Sequence, residues 1–323
     1  MSSERSHPIL ILQSISSISF SPQVVLHSYF LIFLGAKLRI NSQSKSLHYH
    51  LFTLLYRDIQ IRDLQSSLKL VQFLLANPQI ARSVISITLR PNYLLKANGE
   101  RLAGEKELAH AVELLAPNLY QLQRFVWDGI ENAPSKMWAN LRAGCPQLKH
   151  IGTNIGNQLL DPDSELFAFS DLHSFLLTTE LHYRDSGSLY TLHGEELPPA
   201  MWAMLIGRCP NLECLVLGDS GMMRMRSKRK LSIRPLLQAR WPKLDSLRIS
   251  NASILYEDDI FSGLPKIQFI NFLNFHGHSL RELKYHDLSG ASTRAGYAEP
   301  PPSGKGPLSP ECLGDCHVYS KRS

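Results

Sequence analysis

The chain has 323 residues, a formal net charge of +6 and a pI near 9.0. Apolar residues make up 44% and charged residues 19%, an ordinary globular composition that allows a sizeable core. Five cysteines, an odd number without regular pairing, favour reduced thiols inside the cell over a disulfide-stabilised secreted domain. Much of the excess positive charge lies in one run, RMRSKRK (224 to 230), which is more typical of a solvated loop than of a nucleic-acid site or a nuclear-localisation signal.

The N-terminal segment, residues 9 to 36, is rich in Ile, Leu, Val and Phe, but serines, Pro22 and His27 interrupt it. Its longest clean piece, Ser28 to Ala36, is shorter than the roughly 20 residues that span a bilayer. No convincing cleavage site of a secretory signal follows it. We therefore favour helices that are buried against the rest of the protein over a secretory signal or a membrane anchor.

Two segments have the apolar spacing of amphipathic helices, LQSSLKLVQFLLANPQIARS (64 to 83) and EKELAHAVELLAP (105 to 117). Apolar residues that recur every three or four positions lie on one face of a helix and bury it. The predicted buried positions are Leu64, Leu68, Val71 and Leu75 in the first segment and Leu108, Val112 and Leu115 in the second.

Two later phrases are near-copies, PSKMWANLRAGCP (134 to 146) and PPAMWAMLIGRCP (198 to 210). Each opens on proline, which begins a helix at little cost because its missing N–H would be unpaired there. Each ends in Cys-Pro, and that proline cannot extend the helix and pushes the residue before it to extended geometry. The phrase WPKLDSLRIS, which begins at Trp241, repeats this ending. We predict that each terminal proline stops a helix, and that Trp138 and Trp202 occupy equivalent core positions.

One apolar pattern recurs along the chain: an apolar residue, a second one three positions later, and an apolar or small residue two positions after that. The alternation of the last two positions is typical of a short strand. The pattern predicts strands at 84–89, 122–127, 148–152, 172–177, 212–217 and 244–249, side by side in one parallel sheet. It also fits at Ile267-Ile270-Phe272 and Leu280-Leu283-Tyr285, although the 13-residue step between these two is too short for a full unit.

A repeated strand–helix unit of this kind predicts an α/β fold, a degenerate leucine-rich-repeat solenoid with a helical N-terminal segment and a disordered C-terminal tail. A doubly wound parallel sheet also alternates strand and helix, but the recurring leucine offsets favour the solenoid. The expected divisions are an irregular apolar or F-box-like segment at 1–50, the repeat domain at 51–288, and a tail at 289–323. The tail is rich in Pro, Gly and Ser and has no apolar period.

Several motifs of catalytic or metal chemistry have simpler interpretations. Gly218-Asp219-Ser220-Gly221 resembles a protease nucleophile phrase, but the residues that should follow are absent, which favours a polar turn. Cys312, Cys316 and His317 have no second pair of zinc ligands. His276 and His278 are expected to be surface or loop histidines, and Asp258 and Asp259 to cap a helix. We therefore expect no enzyme, no cofactor and no metal.

The segment LFTLLYRDIQIRDLQSSLKLVQFLLANPQIARSVISITLRPNY (51 to 93) resembles the stretch that follows the F-box in fungal F-box/leucine-rich-repeat proteins. The resemblance covers roughly residues 48 to 288 and implies a substrate-recognition subunit of a Skp–cullin–F-box ubiquitin ligase. It implies that the N-terminal segment docks a Skp-type adaptor, but residues 7 to 50 lack the usual Leu-Pro-x-Glu opening, so the box is divergent or incomplete. The candidate adaptor contacts are Ile9, Leu10, Ile11 and Leu12.

The residues alone predict a protein-interaction module. Side chains between the buried strand positions would face a partner on the concave sheet surface, and the candidates are Arg124, Lys149, Glu213 and Arg248. The alternative to a ligase subunit is a leucine-rich binding scaffold with no ligase role. An enzyme of a doubly wound fold is disfavoured because no Gly-rich phosphate loop follows any predicted strand. We expect protein partners, no nucleic acid, and a location in the cytoplasm or nucleus.

Overall fold

A computed structural model describes residues 54–91, 104–129, 132–155, 159–179, 195–218, 231–250, 252–253, 264–286 and 317–320. All of them belong to one compact unit, 53–323. The candidate adaptor contacts Ile9, Leu10, Ile11 and Leu12, the basic run 224–230, Asp258, Asp259, Cys312 and Cys316 lie outside the described residues.

The core of the fold is a parallel β-sheet whose strands follow each other in chain order. Its eight parallel strands among the described residues are β1 (Asp58–Ile61), β2 (Ser86–Leu89), β3 (Arg124–Trp127), β4 (His150–Asn154), β5 (Ser174–Thr178), β7 (Cys214–Gly218), β9 (Ser246–Ser250) and β11 (Glu282–His286). Six of them are the strands that the leucine pattern predicts, and they are parallel neighbours, which confirms the predicted sheet. The class of the fold is therefore α/β with a parallel, open sheet.

The ends of the sheet depart from the sequence prediction. β1 was missed, although Tyr56-Ile59-Ile61 fits the same apolar pattern. The strand predicted at Ile267-Ile270-Phe272 is wrong, because these residues lie in the helix Leu264–His276. Phe269, Phe272, Leu273 and His276 are its buried residues, and their spacing is the three-to-four period of a helix.

Helices cover one face of the sheet. They are α1 (Leu64–Ala76), α2 (Pro78–Ala81), α3 (Glu105–Leu115), α4 (Ser135–Gly144), α5 (Pro199–Trp202) and α6 (Leu264–His276), with 3₁₀ turns at Ala116–Asn118, Glu165–Ala168 and Arg234–Gln238 and a π-helical turn at Ala203–Arg208. Their buried apolar residues form one hydrophobic cluster with the second and fourth residues of the parallel strands, such as Phe125 and Trp127 in β3. Burial of this face is the main stabilising contribution of the fold.

The first two long helices begin and pack much as their sequences predict. α1 starts after Asp63, whose side chain accepts a hydrogen bond from the Ser66 N–H at 2.7 Å. Its buried stripe contains Leu64, Leu68 and Val71, but the fourth member is Leu74, and Leu75 is only half-buried. In α3 the three predicted positions, Leu108, Val112 and Leu115, are all buried.

The proline endings behave as predicted. α4 ends at Gly144, and the N–H of Leu148 then bonds to the carbonyl of Cys145 at 3.1 Å. The same bond recurs from Leu212 to Cys209 at 3.2 Å and from Leu244 to Trp241 at 3.1 Å. Each turn places a buried leucine directly before the start of a strand, which is the role predicted for these phrases.

Four of the helical segments are followed or ended by a buried residue that contacts the preceding strand–helix pair. We call Cys145, Cys209, Trp241 and His276 the helix-end residues. The Cys145 thiol lies 3.6 Å from the Ala116 carbonyl, and the indole N–H of Trp241 donates to the Leu205 carbonyl at 2.9 Å. These contacts tie successive units together through side chains as well as through the sheet.

His276 is a core residue, which corrects its prediction as a surface or loop histidine. It is 0% exposed. Its Nδ1 lies 2.8 Å from the Phe272 carbonyl, and its Nε2 lies 3.1 Å from the Trp241 backbone N–H. A neutral ring with its proton on Nδ1 satisfies both contacts, because Nδ1 then donates and Nε2 accepts.

A second, smaller sheet was not predicted. It consists of three two-residue strands, β6 (Glu195–Glu196), β8 (Leu231–Ser232) and β10 (Ala252–Ser253), paired in parallel in the order β10–β8–β6. In addition, β12 (His317–Ser320) pairs antiparallel with β11, so four residues of the expected disordered tail form an edge strand. An edge strand presents unpaired backbone groups, and pairing with a passing segment satisfies them.

Candidate functional site

The face of the sheet that the helices leave uncovered is the candidate site, and we call it the outer face. It is formed by the first and third residues of the eight parallel strands, which the register aligns into two rows. The first row is Asp58, Ser86, Arg124, His150, Ser174, Cys214, Ser246 and Glu282, and the third-residue row is Gln60, Thr88, Val126, Gly152, Leu176, Val216, Arg248 and Lys284. None of these residues belongs to the hydrophobic core cluster, although Val126 and Val216 are buried, with 6% and 4% of their surface exposed.

The predicted concave residues lie on or beside this face, but not in one row. Arg124 is in the first row and Arg248 in the third-residue row, whereas Lys149 and Glu213 each precede the first residue of a strand. Arg124 and Lys149 are on neighbouring strands, as are Glu213 and Arg248, and β5 separates the two pairs. The structure therefore divides the four candidates into two groups.

A doubled hydrogen bond explains why residues that precede the strands share this surface. The Gln123 carbonyl accepts from both Lys149 and His150 N–H groups at 2.9 Å, so both residues are held against the neighbouring strand. The ring of His173, which also precedes its strand, lies edge-on to that of His150 with centroids 6.1 Å apart. Side chains from the edge and from the first row thus contact each other.

Charged groups in the second half of the outer face, from β5 to β11, are paired with one another. Arg248 holds the Glu282 carboxylate with Nη2 at 2.9 Å from Oε2, and the Lys284 amine lies 2.8 Å from Oε1. Partial burial tends to raise the pKa of Glu282, but hydrogen bonds from Lys284, Ser246 and Arg248 outweigh it and lower the pKa to about 2.

The same pairing continues along the edge of the second half. Arg281 binds Asp245, and the Nδ1 of His173 lies 3.2 Å from Oε1 of Glu213. The charges of this half therefore neutralise each other within the chain.

The first half, from β1 to β4, differs. Arg124 is exposed and Lys149 is half-exposed, and neither forms an ion pair with another described residue. Burial, and then the positive charges of Arg124 and His173, lower the pKa of His150, while Glu213 opposes them. Arg124 and Lys149 thus have no counter-ion among the described residues, and their neighbour His150 has a lowered pKa.

An apolar strip crosses the middle of the outer face, and the sequence reasoning missed it. It consists of Val126, Gly152, Leu176 and Val216, consecutive members of the third-residue row. A Cβ placed on Gly152 would lie 3.1 Å from both Val126 Cγ atoms and from the Leu176 Cβ, so the two neighbours close over the glycine. The sequence did contain an indication of this strip, because β3, β5 and β7 each have an apolar residue between their two buried positions.

Several polar side chains at the carboxyl ends of the strands are buried and paired. The Arg90 Nε lies 3.0 Å from the Asp128 carboxylate. The Thr178 hydroxyl donates to the Asn154 Oδ1 at 3.1 Å, and the Asn154 amide reaches the Gly129 carbonyl at 3.4 Å. Because buried polar groups are costly when unpaired, these contacts stabilise the strand ends.

Gly218, the first residue of the protease-like phrase, has a structural role. Its φ is +101°, and a Cβ there would lie 1.6 Å from the Ser250 carbonyl oxygen. Only glycine fits this strand end. Residues 219–221 of the phrase lie outside the described residues.

A cavity of about 210 Å³ lies beyond the ends of β3 and β4. Its lining includes Trp138, Thr153 and Asp161. Small-molecule sites usually have a volume of roughly 300–1,000 Å³, so the cavity is a weaker candidate than the outer face. In the described parts of the chain, no group of three or more His, Cys, Asp or Glu side chains could hold a metal ion.

The tryptophans of the two near-copies are core residues, as predicted: Trp138 is 1% and Trp202 5% exposed.

Of the helices within the described ranges, none is long and apolar enough to cross a membrane. No protein-family model matches the chain, and no curated protein matches its sequence. The geometry of the chain therefore carries the functional argument.

Proposed function

We propose that the described domain is a leucine-rich-repeat solenoid and that the protein is a non-enzymatic interaction module, which binds another protein through the outer face. One observation carries this proposal: the same backbone junction recurs between all eight parallel strands. In each case one carbonyl accepts hydrogen bonds from two successive N–H groups of the next strand. The accepting residues are Arg57, Ile85, Gln123, Lys149, His173, Glu213 and Asp245.

Recurrence of one junction supports a repeating unit. Each strand with its helix cannot bury its own apolar face, and stacking of neighbours produces the continuous core described above. A doubly wound sheet would carry helices on both faces, whereas the described helices pack on one. The other face then remains available for a partner.

The size of the outer face suits a protein partner. Eight strands at about 4.8 Å spacing and roughly five residues of about 3.3 Å each define a surface of about 34 by 16 Å. Its projected area of roughly 550 Å², enlarged by the relief of its side chains, approaches the roughly 800 Å² that one partner buries in a standard interface.

Site-specific crosslinking tests this proposal. A photo-crosslinking amino acid at Ser174, in the middle of the outer face, should capture a discrete protein in an extract of the source cells. The same amino acid at Lys69, exposed on α1, is the matched control and should not capture it. Equal capture from both positions, or capture from Lys69 alone, would contradict binding through the outer face.

The ligase role is the second part of the proposal and rests on the resemblance of residues 51 to 93. In this role, Ile9, Leu10, Ile11 and Leu12 dock a Skp-type adaptor by apolar burial, while the solenoid recruits the substrate in the cytoplasm or nucleus. The alternative is a binding scaffold without a ligase role. No cofactor takes part in either function.

Adaptor binding separates the two roles. The full-length chain should retain a purified Skp-type adaptor in a pulldown, and a chain lacking residues 1 to 50 should not. Ile9→Asp with Leu12→Asp should abolish binding, because two charges would be desolvated against apolar neighbours. The melting temperature of the double variant should match that of the wild type. Undiminished binding by the double variant, or none by the wild type, removes the ligase role and leaves the scaffold.

A further inference from the structure

The two halves of the outer face differ in how their charges are compensated, and this difference points to the chemistry of the partner. In the second half, Glu282 and Asp245 each have a cationic partner in the chain, and Glu213 lies 3.2 Å from the Nδ1 of His173. In the first half, Arg124 and Lys149 have none among the described residues. We call these two residues the cationic patch.

The cationic patch is compact. Arg124 is aligned with His150 on the next strand, and Lys149 directly precedes His150. Neighbouring strands lie about 4.8 Å apart, so the two cations occupy adjacent strands and one ligand segment can reach both. Asp58 is the nearest first-row carboxylate on this side, and it lies two strands away on β1.

Apolar surface lies beside these charges. Leu176 is half-exposed on β5, and Val126, which follows Arg124 by two residues on the same face of β3, is buried beside it at 6% exposure. Gly152 brings the two side chains together, as its missing Cβ leaves them room. A ligand that is held by the cations would therefore place an adjacent group against Leu176.

The arrangement fits a protein segment better than a nucleic acid. Single-stranded nucleic acids are bound by aromatic side chains that stack on bases, together with a groove of cations along the backbone. No Phe, Tyr or Trp occurs in the first or third-residue row of the eight described parallel strands, and the unpaired cations of β3 and β4 are confined to two neighbouring strands. Carboxylates next to an aliphatic side chain match both the charge and the apolar strip.

We propose that the partner presents an acidic segment to the first half of the outer face, with at least two carboxylates on Arg124 and Lys149 and an apolar side chain against the half-exposed Leu176. This inference rests on the proposed function and specifies the chemistry of its partner. The paired charges of the second half contribute specificity, because an acidic segment displaced toward Glu282 and Asp245 would meet no free cation.

A peptide selection tests the proposal with the full-length chain. A phage-displayed library of random 16-residue peptides is the probe, and the enriched peptides are then synthesised with a fluorophore for affinity measurement by anisotropy. We expect enrichment of peptides with two or more Asp or Glu residues near a Leu, Ile or Val. Replacing their Asp and Glu by Asn and Gln should weaken binding at least about tenfold, as should raising the NaCl concentration from about 50 to 500 mM.

Two charge-matched variants locate the site. Arg124→Glu with Lys149→Glu should weaken binding of the selected peptides at least about tenfold. Lys69→Glu with Lys106→Glu changes the net charge equally on exposed helix positions and should alter the affinity less than about twofold. If the first variant has a lower melting temperature than the wild type, Arg124→Gln with Lys149→Gln is measured in its place. This variant should also weaken binding of the selected peptides.

Three outcomes would overturn the acidic-segment proposal. They are enrichment of neutral or basic peptides, an equal loss of peptide affinity in both charge variants, and no enrichment of any peptide. Tight binding of a fluorescent 16-nucleotide single-stranded RNA, lost in the Arg124 and Lys149 variant, would assign the patch to nucleic acid instead. The proposed function is judged separately, because capture by the crosslinker at Ser174 does not depend on the acidity of the partner.

Discussion

The near-copies 134–146 and 198–210 adopt different helices but identical endings. The first is a regular helix, Ser135–Gly144, whereas the second is one turn of α-helix followed by the π-helical turn Ala203–Arg208. Their tryptophans, the cysteines of their Cys-Pro endings and the leucines that follow are nevertheless all buried. The comparison teaches that the anchors at the two ends determine where a strand begins, while the winding between them can vary.

The largest expected effect concerns the tryptophans of the two copies. Trp138→Ala and Trp202→Ala should each lower the free energy of unfolding by about 3–5 kcal/mol, because both remove a large buried ring. Trp138 also packs edge-on against Phe125 and Phe169, with centroids 5.7 and 6.5 Å away. Urea unfolding of both variants checks the prediction. A cost below about 1 kcal/mol for either tryptophan would mean that its copy is not anchored in the core.

Two glycines near the helix ends should respond in opposite directions. A Cβ at Gly144 would lie 2.7 Å from the carbonyl carbon and oxygen of Ala116, whereas a Cβ at Gly207 would meet nothing within 4 Å. Gly144→Ala should therefore destabilise by about 1–3 kcal/mol through overpacking. Gly207→Ala should stabilise by about 0.4–1 kcal/mol, since alanine loses less backbone entropy on folding.

Thermal unfolding of the two variants measures this contrast, and each glycine serves as the control for the other. If both substitutions changed the stability in the same direction, this would contradict the difference in packing between the two copies.

The smallest effect concerns the helix-end residues, where Cys145 and Cys209 of the two copies correspond to His276 later in the chain. Burial, opposed by the hydrogen bond to Phe272 and aided by Arg240 and His278, lowers the pKa of His276. Because the folded state favours the neutral ring, its contribution to stability is complete above the ordinary histidine pKa of about 6.5 and is lost as the pH falls below it. The slope cannot exceed about 1.4 kcal/mol per pH unit for one proton.

Denaturant unfolding between pH 5 and 8 measures this contribution. His276→Cys, which installs the residue of the earlier units, should flatten the acid side of the profile. His150→Gln measures the separate contribution of a histidine on the outer face whose pKa is also lowered. An unchanged profile for His276→Cys would exclude titration of this ring as the cause of acid sensitivity.

The six central strands could be predicted because a leucine pair at fixed offsets and a proline-terminated helix indicate the same boundary. β1 was missed because Tyr56-Ile59-Ile61 was assigned to the phrase that follows an F-box. The error at Ile267 has a different cause: apolar residues three apart fit the strand pattern and a helix equally, and only burial of Phe269, Phe272 and Leu273 on one face distinguishes them.

The outer face was predictable only in part. Alternation along a strand placed Arg124 and Arg248 on it. The positions of Lys149 and Glu213 depend on the doubled hydrogen bonds at the strand starts, which no side-chain pattern encodes. The pairing of charged side chains also depends on tertiary structure. The partners of Arg248 and Asp245 are Glu282 and Arg281, more than 30 residues away in sequence. The contrast between paired and unpaired charges therefore became visible only in the folded chain.

The doubled junction has a consequence for sequence change. It uses backbone groups alone, so the side chains beside it, such as Lys149 and Glu213, can be exchanged without moving a strand. The lengths of the connections are equally free, since successive junctions are the same whether 24 or 40 residues separate the strand starts, as between β4 and β5 and between β5 and β7. A lineage of such chains could therefore change the chemistry of the outer face by drift, while the sheet that presents this face stays constant.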